Sequence, residues 1–171
     1  MTFDIPLPPL PSLETAKGYS LVSTLDLRWK RCHIKSTALL GNVLHFQQGF
    51  EVGCQETLLF NEKNELTEAS SSNIFIVKAG AIATPIQDNQ ILPGITRRLV
   101  IDILAKDGSL ALEERIISMD EVRNADEIWI TSSSKGIAPV TRLDDKKVGN
   151  GQVGSVWLKA ASLYQQHNFD Y

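Results

Sequence analysis

Cysteine is scarce: Cys32 and Cys54 are the only two in 171 residues, with no CxxC pair and no Cys/His ligand spacing. That excludes a disulfide framework and a zinc site as organising features, and it suits a reducing, cytoplasmic setting. No apolar run approaches the roughly 20 residues needed to span a bilayer, and the first residues lack the basic-then-apolar order of a signal peptide, so neither a membrane partner nor export is expected. An excess of charge is also missing: the net charge is −3, and the ten Lys and seven Arg are scattered rather than gathered into a stripe. A nucleic-acid surface therefore has no electrostatic footprint. The three histidines, His33, His45 and His167, share no spacing and read as surface or satisfied residues. There is no internal repeat and no low-complexity segment. Proline is concentrated at the start, at Pro6, Pro8, Pro9 and Pro11, where it denies donors to a sheet and favours extended backbone. Residues 1–12 thus read as a linker, and 13–171 as one domain. What is present is globular: 43% apolar and 22% charged residues, in a chain long enough to remove roughly 70% of its unfolded surface from water. Small molecules or a second copy of the chain are the expected partners.

The alternation of Leu21, Leu25, Leu27 and Trp29 with Thr24, Asp26 and Arg28 predicts a strand over 20–29 leading to Lys35. Ser36 is placed to cap a helix carrying Leu39, Leu40, Val43 and Leu44, interrupted by Gly49 and Gly53 and expected to pack on a sheet. Residues 56–60 and 65–68, across the turn 61–64, read as a hairpin, and 73–77 with 81–84 as another. A helix is predicted over 95–105, closed by Gly108 as a left-handed cap. A strand over 113–117 precedes Ser118-Met119-Asp120-Glu121, which has the Ser-x-x-Glu form of a capping box. Strands over 127–131 and 137–143 and a helix over 155–166 complete the chain, with Trp157, Leu158, Ala161 and Tyr164 as that helix's core face.

Four polar clusters interrupt this pattern at strand ends or helix starts, where a rigid scaffold presents functional loops. They are His33-Ile34-Lys35-Ser36, Thr67-Glu68-Ala69-Ser70-Ser71-Ser72-Asn73, Leu92-Pro93-Gly94-Ile95-Thr96 and Thr131-Ser132-Ser133-Ser134. Singly each has an ordinary explanation: a solvated lysine near a helix start, a strand-end carboxylate beside a turn, a helix start, a loop.

Taken together, in order and at spacing, they resemble the D-amino-acid aminotransferase group of the class IV aminotransferase family, pyridoxal-phosphate enzymes of fold type IV. The resemblance is carried by 26–36 with Leu40-Gly41-Asn42, by 67–75, by 91–97, and by Ala125-Asp126-Glu127 through Ser133; it covers about residue 13 to the C-terminus. It implies pyridoxal 5'-phosphate as cofactor and Lys35 as the catalytic lysine that carries the Schiff base and moves the substrate α-proton. A buried lysine suits both tasks, because burial favours the neutral amine. The resemblance further implies that Glu68 faces the pyridine nitrogen and that Leu92 packs on the ring. Ile95 and Thr96, opening a helix after Gly94, would hold the phosphate together with Ser132 and Ser133. Arg28 falls in the neighbourhood of the site, and Ser70-Ser71-Ser72-Asn73 shapes the loop beside Glu68.

The family's complete members carry an N-terminal small domain that supplies an arginine to the phosphate and holds the substrate carboxylate. By this resemblance the present sequence looks like the large cofactor-binding domain alone, so cofactor binding with little or no turnover is expected of it. The implied reaction is amino transfer between an amino acid and a 2-oxo acid, of the D-amino-acid (D-alanine) type. Branched-chain aminotransferase, aminodeoxychorismate lyase, or a non-catalytic dimerising remnant stand as alternatives. The resemblance also implies a homodimer and an α/β (α+β) fold: a mixed, mainly antiparallel sheet curved into a pseudo-barrel with helices outside.

Overall fold

The computed structural model describes residues 12–13 and 15–170. The proline-rich linker expectation falls almost wholly outside the described residues. Among the described residues nine strands form one mixed sheet: β1 (Tyr19–Leu25), β2 (Glu56–Phe60), β3 (Leu66–Ala69), β4 (Asn73–Lys78), β5 (Ala81–Pro85), β6 (Leu112–Arg115), β7 (Glu127–Ser132), β8 (Gly136–Leu143) and β9 (Lys146–Lys147). Their spatial order is β3-β2-β1-β8-β7-β4-β5-β6, with β9 paired to β8. Short turns join antiparallel neighbours, as between β4 and β5 or β7 and β8. Parallel neighbours need a crossover, and helices supply two of them. Helix α1 (Leu40–Glu51) lies between β1 and β2, and α2 (Ile95–Asp107) between β5 and β6. The third parallel pair, β1 with β8, joins residues far apart in sequence. Beyond β6 the chain meets the far edge of the sheet: Leu66 N donates to Ile117 O at 2.8 Å and Met119 N to Asn64 O at 2.9 Å. The sheet thereby curls almost into a barrel, as the family resemblance implies.

Strand alternation divides the apolar residues between two cores. Ile74, Ile76, Ile128 and Ile130 point into the barrel with Leu58, Val140, Met119 and Val122, the last two delivered by α3 (Met119–Arg123). Phe75, Val77 and Trp129 point outward beneath α2 and α4 (Ser155–His167), meeting Val100, Leu104, Trp157 and Ala161. Phe75 and Trp129 are register partners with stacked rings 6.0 Å apart. Complete burial of a side chain such as Phe75 or Leu104 contributes roughly 1.5–3 kcal/mol. Two of the three predicted caps form. Ser118 and Glu121 make a reciprocal capping box, and Gly108 ends α2 at φ +69° with its N–H on Leu104 O. Helix α4 starts at Gly154 with no side-chain cap of its own, and the Glu127 carboxylate instead accepts from Val156 N at 3.0 Å and Trp157 N at 2.7 Å.

Four expectations are corrected. The first strand stops at Leu25, because the Asp26 carboxylate accepts from Arg28 N at 3.0 Å and turns the chain; Leu27 and Trp29, which continue the alternation, are exposed. Ser36 does not cap α1. Its hydroxyl accepts from Ala38 N at 3.3 Å, and the helix begins after Leu39 with no side-chain cap. Helix α1 does lie against the sheet, but through His45 and Gly49, while Leu39, Leu40, Val43 and Leu44 face outward, each more than half exposed. A Cβ on Gly49 would stand 2.5 Å from Thr57 Oγ1, so the missing side chain is what permits this approach. Leu158, likewise expected in the core, is exposed beside buried Trp157 and Ala161.

Candidate functional site

The loop after β1 is fastened at several points. Asp26 N donates to Phe60 O at 2.7 Å, and His45 Nε2 on α1 accepts from Leu27 N at 3.1 Å. Further along, Cys32 N donates to Asn89 O at 2.9 Å and Asn89 Nδ2 to Lys30 O at 3.0 Å, so the loop is stitched to the segment preceding α2. Gly41 lies against this loop, where a Cβ would come within 3.2 Å of Arg28 Cγ.

Arg28 is the hub. Its buried guanidinium grips Asp26 with Nε at 2.9 Å and Nη2 at 2.7 Å, reaches Glu68 Oε1 with Nη1 at 2.6 Å, and donates to Gln90 O at 3.2 Å. Glu68, on β3, uses its other oxygen to accept from Asn73 Nδ2 at 3.0 Å and Leu92 N at 2.9 Å. Asn73, which opens β4, also donates to Leu92 O at 2.8 Å. One arginine thus serves two carboxylates, and their acidities diverge. Burial works against ionisation of Asp26, but the hydrogen bonds and charge of Arg28 outweigh it and hold the group below its ordinary range. For Glu68 burial dominates and pushes it up to about 7, with Arg28 and the Leu92 N–H opposing. Arg28 itself, between the two, stays charged. A carboxyl group poised near neutrality in a fixed hydrogen-bond frame can accept or return a proton at Oε.

The frame continues into α2. A Cβ on Gly94 would lie 2.1 Å from Asn73 Oδ1, so the helix start fits against Asn73 only because that position is glycine. Gly94 has no side-chain cap, and the first turn of α2 has no acidic residue, leaving a positive helix end suited to an anion. Thr96 is buried there and Ile95 is exposed. Thr131 is the register partner of Asn73, and its buried Oγ1 has no hydrogen-bond partner. Ser132 and Ser133 follow it at the end of β7, half-buried and exposed respectively.

Of the residues singled out in the sequence, the structure therefore brings Arg28, Glu68 and Leu92 into one hydrogen-bonded cluster. Asn73 links that cluster to Gly94–Thr96 and, across the β4–β7 ladder, to the 131–133 loop. Lys35 is not drawn into this network and is exposed on its loop, contrary to the burial expected of it; its neighbours Ile34 and Leu39 are exposed as well. Asp26 and the direct Asn73–Glu68 bond were not foreseen. Asp26-Leu27-Arg28 offered the one local signal, an acid and a base two residues apart beyond a strand. Among the described residues no His/Cys/Asp/Glu group could hold a metal ion, and no helix is long and apolar enough to cross a membrane.

The family model described as amino-transferase class IV matches residues 1–143. The chain is 37% identical over 153 residues to the D-alanine aminotransferase of Listeria innocua, covering 90% of this chain and 50% of that one. It is 38% identical over 157 residues to the D-alanine aminotransferase of Staphylococcus epidermidis, covering 92% and 55%. The chain spans about half the length of the curated relatives it matches. Among solved structures, the branched-chain aminotransferase of Thermoproteus uzoniensis with norvaline superposes with a TM-score of 0.80 at 27% identity, over 93% of this chain and 54% of that one. The branched-chain amino acid aminotransferase of Thermobaculum terrenum in its PLP form superposes at 0.84 with 24% identity, over 92% and 53%, and shares the fold.

Proposed function

Because the chain belongs to the class IV aminotransferase family, we propose that it carries the cofactor half of a pyridoxal-phosphate site serving amino transfer between an amino acid and a 2-oxo acid, of the D-amino-acid type. The observation that carries this reading is the Arg28–Glu68–Asn73–Leu92 cluster beside the uncapped start of α2. The residues fit the group: the Gly94 cradle, the unpartnered Thr131 Oγ1 and the helix end suit a phosphate, and buried Glu68 suits a pyridine nitrogen. Pyridoxal phosphate, when bound, supplies an electron-withdrawing ring that takes up the electron pair released at the substrate α-carbon. Lys35 Nζ would attach the cofactor and move the α-proton, and Glu68 Oε would share a proton with the ring nitrogen. Thr96, Ser132 and Ser133 would hold the phosphate with the N–H groups of Ile95 and Thr96, and Leu92 would support the ring.

Relatives at 37–38% identity named D-alanine aminotransferase support the D-amino-acid assignment. The likeness to a branched-chain aminotransferase structure at 27% identity favours branched-chain donors as the second reading. A single half-reaction, with D-alanine or L-leucine in excess over the cofactor-loaded protein and the matching 2-oxo acid counted per bound cofactor, separates the two without requiring turnover. The first test is an absorption titration of the chain and of Lys35→Ala with pyridoxal phosphate, followed by borohydride reduction and peptide mass analysis. A reduced adduct on Lys35, absent from the variant, supports the reading. No adduct, or label spread over surface lysines, overturns it. We place the protein in the cytoplasm, in keeping with its two unpaired cysteines. We further propose a homodimer, supported by the outward apolar face of α1 at Leu40, Val43, Leu44 and Phe50. Sedimentation as a monomer at micromolar concentration would refute it.

A further inference from the structure

Glu56, the first residue of β2, is fully buried. Its carboxylate accepts from the hydroxyls of three consecutive residues, Ser70, Ser71 and Ser72, the last at 2.9 Å. Lys135 Nζ approaches it at 3.4 Å and stands 3.3 Å from Ser71 Oγ. Folding does not call for such an arrangement, since an ion pair taken out of water gives little net stability and an apolar residue of similar volume commonly serves as well. The four donors have another property in common, which is where they lie. Ser70–Ser72 is the whole connection between β3, which carries Glu68, and β4, which opens with Asn73. Lys135 closes the loop that begins at Ser132, and its N–H donates to Ser132 Oγ at 3.2 Å. Helix α1 adds a further hold on the same turn, Asn42 Nδ2 donating to Ser70 O at 2.9 Å.

We infer that Glu56 and Lys135 form a clamp that fixes the 132–135 loop relative to the turn carrying Glu68 and Asn73. In the proposed site these two segments face the phosphate and the ring nitrogen of one ligand, so the clamp sets the spacing between its two ends. Both are positioning residues. The inference rests on the proposed cofactor binding and adds to it a specific role for two side chains that no part of the mechanism uses. Its signature is selectivity. A ligand that has both ends needs the spacing, whereas pyridoxal, which lacks the phosphate, uses only one of the two segments.

The test is a titration of the intact chain with pyridoxal 5'-phosphate and with pyridoxal, followed by absorbance, in wild type, Glu56→Gln, Lys135→Met, Lys135→Arg and the control Lys159→Met. The expected result is that the preference for the phosphorylated ligand falls about tenfold in Glu56→Gln and Lys135→Met, as loss of one charge-assisted hydrogen bond would produce. Lys135→Arg should restore it, and Lys159→Met should leave it unchanged. Equal weakening of both ligands, or no change, would show a merely structural role and overturn the clamp. A loss confined to Lys135→Met, with Glu56→Gln normal, would make Lys135 a direct phosphate ligand and overturn it as well. Should Glu56→Gln fail to fold, Ser71→Ala, which removes the hydroxyl between Glu56 and Lys135, takes its place with the same expected fall, and an unchanged preference there overturns the clamp. Wild type binding neither ligand would overturn the proposed function and this inference with it. Wild type binding both with an unaltered preference in the variants overturns the clamp only.

Discussion

Replacing Arg28 by Met keeps most of the side chain's volume and removes its charge and every hydrogen bond of its guanidinium. Two carboxylates, Asp26 and Glu68, would then face each other from a buried cluster with no cation between them. Breaking a buried pair by removing one partner costs about 3–5 kcal/mol, and here a single removal strands two acids. For a domain of this size each kcal/mol moves the melting temperature by roughly 2–4 °C, so Arg28→Met should melt roughly 6–20 °C below wild type at pH 8. The deficit must shrink in acid. In wild type, Glu68 is already raised from its ordinary value to about 7, so the stability it lends is complete below pH 4.5 and is lost as the pH climbs through about 7. Asp26 behaves oppositely, its lowered value giving stability above 3.8 that is lost as the pH falls further. Without Arg28 both groups lie above their unfolded values, and both favour the folded state only when protonated. Calorimetric or circular-dichroism melts of the two proteins between pH 5 and 8 measure the difference directly. A deficit that is flat with pH, or smaller than about 2 °C at pH 8, would refute the reasoning, since a shortfall of packing alone does not titrate.

Gly94→Ala drives a methyl into Asn73 Oδ1 and should displace the amide from both Glu68 and Leu92. A stability loss of about 1–3 kcal/mol, together with weaker cofactor uptake, is expected in a melt and an absorption titration. Glu127→Ala withdraws the acceptor that serves Val156 N, Trp157 N and Trp129 Nε1. A loss of about 2 kcal/mol is expected in denaturant unfolding, with faster amide exchange in the first turn of α4. Ser118→Ala opens the capping box of α3 and should cost about 1 kcal/mol, measured the same way, while cofactor binding stays at the wild-type level.

Much of this architecture is legible in the order of residues. Both early hairpins, α2 with its Gly108 cap and the Ser118 box rest on short-range spacing, and spacing is what a sequence displays. The segments around Glu68, Leu92 and Gly94 are legible for another reason, since their wording resembles a family, and the structure joins them through Asn73. Other features depend on partners that no local pattern names. Leu27 and Trp29 extend the alternation of β1 beyond its end, because alternation persists in a sequence after Asp26 has turned the chain. Leu39, Leu40, Val43 and Leu44 recur at helical spacing, yet periodicity cannot say which side of a helix another surface will cover; the sheet takes the His45 and Gly49 face. Glu56 heads an ordinary apolar strand, and only the return of β3 and the approach of Lys135 disclose why an acid stands there.

The position of β1, flanked by β2 on one side and β8 on the other, bears on how the protein is made. Ser23 on β1 is hydrogen-bonded to Asp144, 121 residues later. At synthesis rates of about 5–20 residues per second, β1 waits roughly 6–25 s after leaving the ribosome before the strand that completes its ladder exists. During that interval one edge of β1 is open, with apolar side chains such as Leu21 beside it, and pairing with a neighbouring nascent chain competes with correct closure. The lysine loop that hangs from β1 is therefore made early and has its anchors at His45, Phe60 and Asn89 available while the strand it hangs from still has one edge unpaired.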